Sequence, residues 1–160
     1  MMTNNLTTCA RNAAIAGLTL LSAACADASA QAANARWTPV AFAAEPGKAM
    51  LIFVDKSSIR RSGTDIDLVT LAVRKEASAE GVDSVRERNR FFCDTREAQS
   101  LGQEYLGDGK LVHKGEAEPA GVAYPEGSAW RTLIDSVCTD DMTADATDDP
   151  HAVTDAHFRS

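Results

Sequence analysis

The stretch SAWRTLIDSVC, Ser128 to Cys138, carries Trp130, Leu133, Ile134, Val137 and Cys138 at the i, i+3, i+4, i+7, i+8 spacing of one helical face. A cysteine that closes such a stripe faces whatever the helix packs on, so its bonding partner restricts where the helix can lie. The chain has four cysteines in 160 residues. Cys9 and Cys25 fall in an N-terminal segment with the features of an export signal, which leaves Cys93 and Cys138 as an even pair in an oxidising compartment. A Cys93–Cys138 disulfide is therefore expected. It closes a loop of 45 residues, which loop-closure entropy makes worth about 4 kcal/mol. The alternatives are two buried free thiols or a metal site, and no histidine sits at ligand spacing beside either cysteine.

Export is read from residues 1–30. Arg11 precedes the apolar run AAIAGLTLLSAAC, and ADASAQA follows, so a weakly basic start, a short apolar stretch and a small-x-small site come in order. The run is too short and too rich in alanine for a membrane span. Cleavage is expected after Ala30. The competing reading is lipidation of Cys25 in LSAAC, where Ser22 stands at the place usually held by leucine; residues 26–36 would then form a tether. The chain divides into a signal peptide (1–30), one domain (31–138) and an acidic segment (139–160). That last segment holds six aspartates against Arg159, a charge of −5. Residues 1–30 are neutral, so −7 less −5 leaves −2 for residues 31–138. The acidity is mostly a property of the end of the chain, which is rich in small residues and is expected to be a disordered tail.

Between these ends the pattern is that of strands. After WTPVAFAAE and a Pro-Gly break, AMLIFVD (Ala49 to Asp55) is a short apolar run bounded by turn formers, and KSSIRRSG is a bend. TDIDLVTLAVRK alternates as a longer strand. In SVRERNRFFCDT, Arg86, Arg88 and Arg90 share one face while Glu87, Asn89, Phe91 and Cys93 share the other. Asp108-Gly109 marks a hairpin that sets Leu106 opposite Leu111, Tyr105 opposite Val112 and His113 opposite Glu104. Ser128 is a suitable N-cap for the helix. About six strands followed by one helix predict an α+β fold: a single antiparallel sheet packed on a C-terminal helix that the disulfide tethers to the fourth strand. Trp130 and Phe91 are expected in the core, and Trp37 opens the first strand.

The order Trp37, LIFVDKSSIRRSG, VTLAV, RFFCD, GDGKLV, PEGSAWRTLIDSVC resembles the surface-adhesin protein E family of bacterial envelope proteins over most of residues 37–138. The resemblance implies an antiparallel sheet bent around a disulfide-tethered C-terminal helix. It also implies adhesion: binding of host extracellular-matrix macromolecules from an outer-membrane, often lipidated, position. The alternative is a periplasmic accessory protein that binds another envelope component. An exposed edge strand would admit a homodimer.

Catalysis finds no foothold. There is no Gly-rich phosphate loop, GxSxG elbow or HExxH, and no cofactor or metal is implied. His113 reads as a surface partner of Glu104, and His151 and His157 lie among the aspartates of the tail, where a divalent cation would be held weakly if at all. The remaining candidate is electrostatic. Arg86, Arg88 and Arg90 project from one sheet face at about 7 Å intervals, with Arg60, Arg61, Arg74 and Lys75 as neighbours. Such a stripe would hold acidic side chains or sulfated glycans; its plain alternative is a solvated face paired with carboxylates such as Asp65 and Asp67. Nucleic acid is excluded as a partner by the net negative domain and by how few aromatics interleave with the basic residues.

Overall fold

The computed structural model describes residues 37–45 and 47–159. The signal peptide, its cleavage after Ala30 and the lipidation of Cys25 lie outside the described residues. Six strands run in sequence order, each antiparallel to its neighbours: β1 (Trp37–Ala43), β2 (Met50–Ser62), β3 (Asp65–Arg74), β4 (Ser84–Phe92), β5 (Glu97–Gly107) and β6 (Lys110–Gly115). A two-residue β7 (Val122–Ala123) pairs with the start of β5. Helix α1 (Ala129–Thr139) and a second helix, α2 (Pro150–Arg159), follow. No helix of the described residues is long and apolar enough to cross a membrane.

Helix α1 forms where its spacing predicts. Ser128 Oγ accepts the Arg131 amide at 3.2 Å, and Asp140 ends the helix in the left-handed region at φ 60°. Leu133, Ile134 and Val137 are fully buried against Ile52, Val54, Ile66, Leu68 and Phe91 of the sheet. At its end Cys138 is bonded to Cys93, with the Cα atoms 5.6 Å apart. The expected disulfide and helix placement are thus both present, and Phe91 lies in the core.

Strand β2 is one strand, not a strand followed by a bend. The ladder slips between Asp55 and Arg60, and Lys56, Ser57, Ser58 and Ile59 occupy the bulge. The buried Asp55 carboxylate accepts from the Ser57 amide (2.9 Å) and hydroxyl (2.6 Å). Ser58 Oγ donates to the Asp55 carbonyl and accepts the Val69 amide at 2.8 Å, replacing the ladder bond that the bulge removes. Ser58→Ala is expected to strand that β3 amide and lower stability by about 1 to 2 kcal/mol. Urea unfolding measures it, and Ser57→Ala, which removes only a second bond to Asp55, is expected to cost less.

The segment after α1 departs from the expected disordered tail. Pro150 starts α2, and Asp149 Oδ1 caps it by accepting the Ala152 amide at 3.0 Å. Val153 and Phe158 then pack on a second apolar cluster of Trp37, Leu51, Phe53, Leu71 and Val73. This cluster occupies the sheet face opposite α1, because Leu51 and Phe53 alternate with Ile52 and Val54 along β2. Between the helices the chain passes the margin of β1: Met142 is buried with the α1 cluster, its carbonyl accepts from Lys56 Nζ, and Thr147 and Trp37 exchange backbone bonds at 2.9 and 2.7 Å. Pro39 and a bulge in β1 interrupt that edge further. The β6 edge is exposed from Lys110 to Lys114.

Candidate binding surface

The alternation of β4 puts Arg86, Arg88 and Arg90 on the α2 face, where the register sets them beside Leu71, Val69 and Asp67 of β3. Arg60 of β2 lies opposite Asp67 on the same face. Arg61, one residue on, belongs to the α1 face and reaches Asp140 and the Val137 carbonyl, both at 3.4 Å. Arg74 falls on the α1 face as well, opposite Met50, and so stands apart from the stripe.

The three arginines are not equivalent. Arg90 grips Asp67 through two bonds of 2.7 and 2.9 Å. The bonded guanidinium holds the Asp67 carboxyl below the usual carboxylate range, outweighing the opposite effect of burial, and Asp67 in turn raises Arg90. Arg86 donates from Nε and Nη2 to Glu104 Oε2, the first at 2.9 Å, and Lys114 stands 3.7 Å from the other oxygen. The Arg86 bond likewise lowers Glu104. Arg88 is exposed between them; Nη2 reaches only the Leu101 carbonyl, at 3.1 Å, and pairs with no carboxylate among the described residues.

Five basic side chains (Arg60, Arg86, Arg88, Arg90, Lys114) therefore share this face with five carboxylates (Asp55, Asp65, Asp67, Glu97, Glu104), so the strands' charges balance there on a chain of net −7. The paired carboxylates act mainly to hold the outer arginines in place, and Arg88, bonded to the Leu101 carbonyl, presents its guanidinium between them. Because Asp67 and Glu104 have lowered pKa values when folded, their stabilisation is complete above the unfolded carboxylate value of about 4 and is lost as pH falls through the lower folded values. The Glu104 share, in a side chain nearly a third exposed, is under about 1 kcal/mol. Denaturant unfolding between neutral and acid pH checks this, with Glu104→Gln expected to flatten the acid limb.

The hairpin register corrects the expectation for His113. Leu106 does face Leu111, but a bulge at Val112 shifts the rest, so Tyr105 faces His113 and Glu104 faces Lys114. His113 stacks on Tyr105, with ring centroids 4.1 Å apart, on the α1 face. The extra residue is what delivers Lys114 to the arginine stripe. In α2, His151 approaches Asp83 at 3.9 Å and His157 contacts Phe42 and Phe158. No group of three metal-binding side chains occurs among the described residues.

Residues 37–139 match the family model described as surface-adhesin protein E. Among solved structures, crystal form II of Haemophilus influenzae protein E is similar at 8% identity, over 57% of this chain and 81% of that one, with a TM-score of 0.45. Protein E from non-typeable Haemophilus influenzae is similar at 10% identity, over 66% and 82%, with a TM-score of 0.38. No curated protein sequence matches the chain.

Proposed function

Because the chain belongs to the surface-adhesin protein E family, we propose that it is a non-enzymatic cell-envelope adhesin, and that the basic stripe of the α2 face is where it grips extracellular macromolecules. The observation that carries this reading is Arg88: an exposed guanidinium without a carboxylate partner among the described residues, flanked by two arginines that ion pairs hold in a row. Guanidinium groups at strand spacing suit carboxylates or sulfates repeated along a polymer, such as acidic protein segments or sulfated glycans of an extracellular matrix. The family's adhesive character supports a cell-surface position for the protein.

The test is binding to a sulfated glycan and to an acidic matrix protein at several salt concentrations. Arg88→Glu is expected to weaken binding about tenfold or more and to reduce its salt dependence. Its stability should change by no more than about 0.5 kcal/mol, since the side chain is exposed and makes no ion pair among the described residues. Unchanged binding by a folded Arg88→Glu protein would remove the stripe from the reading. Protease treatment of intact cells addresses the other half: a surface adhesin is degraded, whereas a periplasmic accessory protein survives.

A further inference from the structure

The α1 face continues past its apolar cluster into a polar tract that the adhesin reading leaves unused. The β3–β4–β5 register lines up Thr70, Glu87 and Gln103 in one row and Asn89 and Ser100 beside it. Glu87 is 7% exposed and Ser100 is 4% exposed. Asn89 is satisfied by Thr70 at 3.0 Å. The Ser100 hydroxyl is buried without a hydrogen-bond partner among the described residues.

Glu87 is the anomaly of the row. Its Oε1 accepts from Gln103 Nε2 at 2.8 Å, and no basic side chain pairs with its carboxylate among the described residues. Burying a carboxylate with one neutral donor is costly, and such groups are ordinarily paired with a cation. Gln103 cannot turn away, because its own Oε1 accepts from Tyr105 Oη at 2.6 Å. Gly115 of β6 makes room for this arrangement: a Cβ there would lie 2.9 Å from Gln103 Oε1 and 3.1 Å from the Tyr105 ring.

Two aromatic pairs lie on the same sheet face as the carboxylate. Tyr105 stacks with His113 on the β6 side. Tyr124 stacks with Trp130 on the α1 side, with centroids 5.6 Å apart. The Tyr124 phenol is pushed up chiefly by burial and then by the negative charges of Glu118 and Glu87. Glu118 is held at the rim by backbone bonding to Ser100 and by Gln99.

We propose that this tract is a binding site for an organic cation, a primary ammonium or guanidinium group that pairs with Glu87 beside the Tyr105 and Tyr124 rings. A carboxylate with aromatic rings beside it is the acceptor set such cations take, since ring faces and the anion attract the same charge. The site lies on the opposite sheet face from the arginine stripe and takes the opposite charge, so the two stand or fall separately.

The test uses the disulfide-bonded protein, with the Gln103 side-chain amide and Trp130 indole followed by NMR. The probes are spermidine, a short peptide rich in lysine and arginine, and neutral glucose. Both cations are expected to shift the two signals saturably, and Glu87→Gln to weaken the effect roughly tenfold while keeping the Gln103 contact. Tyr124→Leu provides a second variant, expected to weaken binding several-fold. Stronger binding of the peptide identifies a partner's side chain as the natural ligand and stronger binding of spermidine a free amine; either supports the site. Equal response to glucose, no saturable shift, or equal affinity in a folded Glu87→Gln protein would overturn it.

Discussion

Cys138→Ser is expected to lower the unfolding free energy by about 4 kcal/mol, the loop-closure entropy of a 45-residue crosslink. The loss should come mainly from the unfolded chain, which regains the freedom of residues 93–138. The α1 stripe keeps its own contacts, since Leu133, Ile134 and Val137 are buried in the cluster without help from the sulfur. Urea unfolding should therefore show a lower midpoint with a native spectrum retained before the transition. Reducing the wild-type protein should reproduce the shift. A loss below about 1 kcal/mol would mean that α1 docks by apolar contact alone and that the crosslink adds little. Domains of this size have roughly 5–15 kcal/mol in hand, so the predicted loss leaves a marginal fold.

Phe91→Ala is expected to cost about 3 to 5 kcal/mol. Phe91 is completely buried at the middle of the sheet, between Ile66 of β3 and Ala98 of β5, beneath α1. Both neighbours are held by ladders on either side, so the void cannot close by a small shift, and the helix above is pinned two residues further on through Cys93. Phe42→Ala is the control. That side chain is 55% exposed, and its removal should stay within about 0.5 kcal/mol. Similar losses at the two positions would contradict the placement of the core.

The features that sequence reading captured are those with local periodicity. The 3.6-residue stripe of α1 and the two-residue alternation that segregates Arg86, Arg88 and Arg90 from Phe91 follow from spacing along a few residues, and the disulfide follows from the number of cysteines left outside the export segment. What it missed depends on irregularity or on distant partners. The bulges at Asp55–Arg60 and at Val112 shift the ladder by residues that no period announces, and the second carried His113 away from Glu104. Helix α2 is a different kind of miss, because two signals for it were present. Asp149-Pro150 is a helix start, and LIFV is apolar at every position, which requires cover on both faces of β2. One helix could shield only Ile52 and Val54; Leu51 and Phe53 needed Val153 and Phe158. The polar tract stayed hidden because Glu87 and Asn89 look like surface residues until the register brings Gln103 and Ser100 beside them.

The clasp formed by Thr147 on Trp37, together with the Cys93–Cys138 bond, bears on how the protein would respond to mechanical load. Tension applied from the N-terminal side of Trp37 meets β1 first, at the residue whose backbone is already fastened to the stretch between the two helices. Whatever yields there, the loop that the linked sulfurs close across a separation of 45 residues cannot be drawn out, which withholds roughly 150 Å of contour length. A tether built this way gives a short, abrupt extension before it stops, and reduction of the bond would let the same pull travel much further.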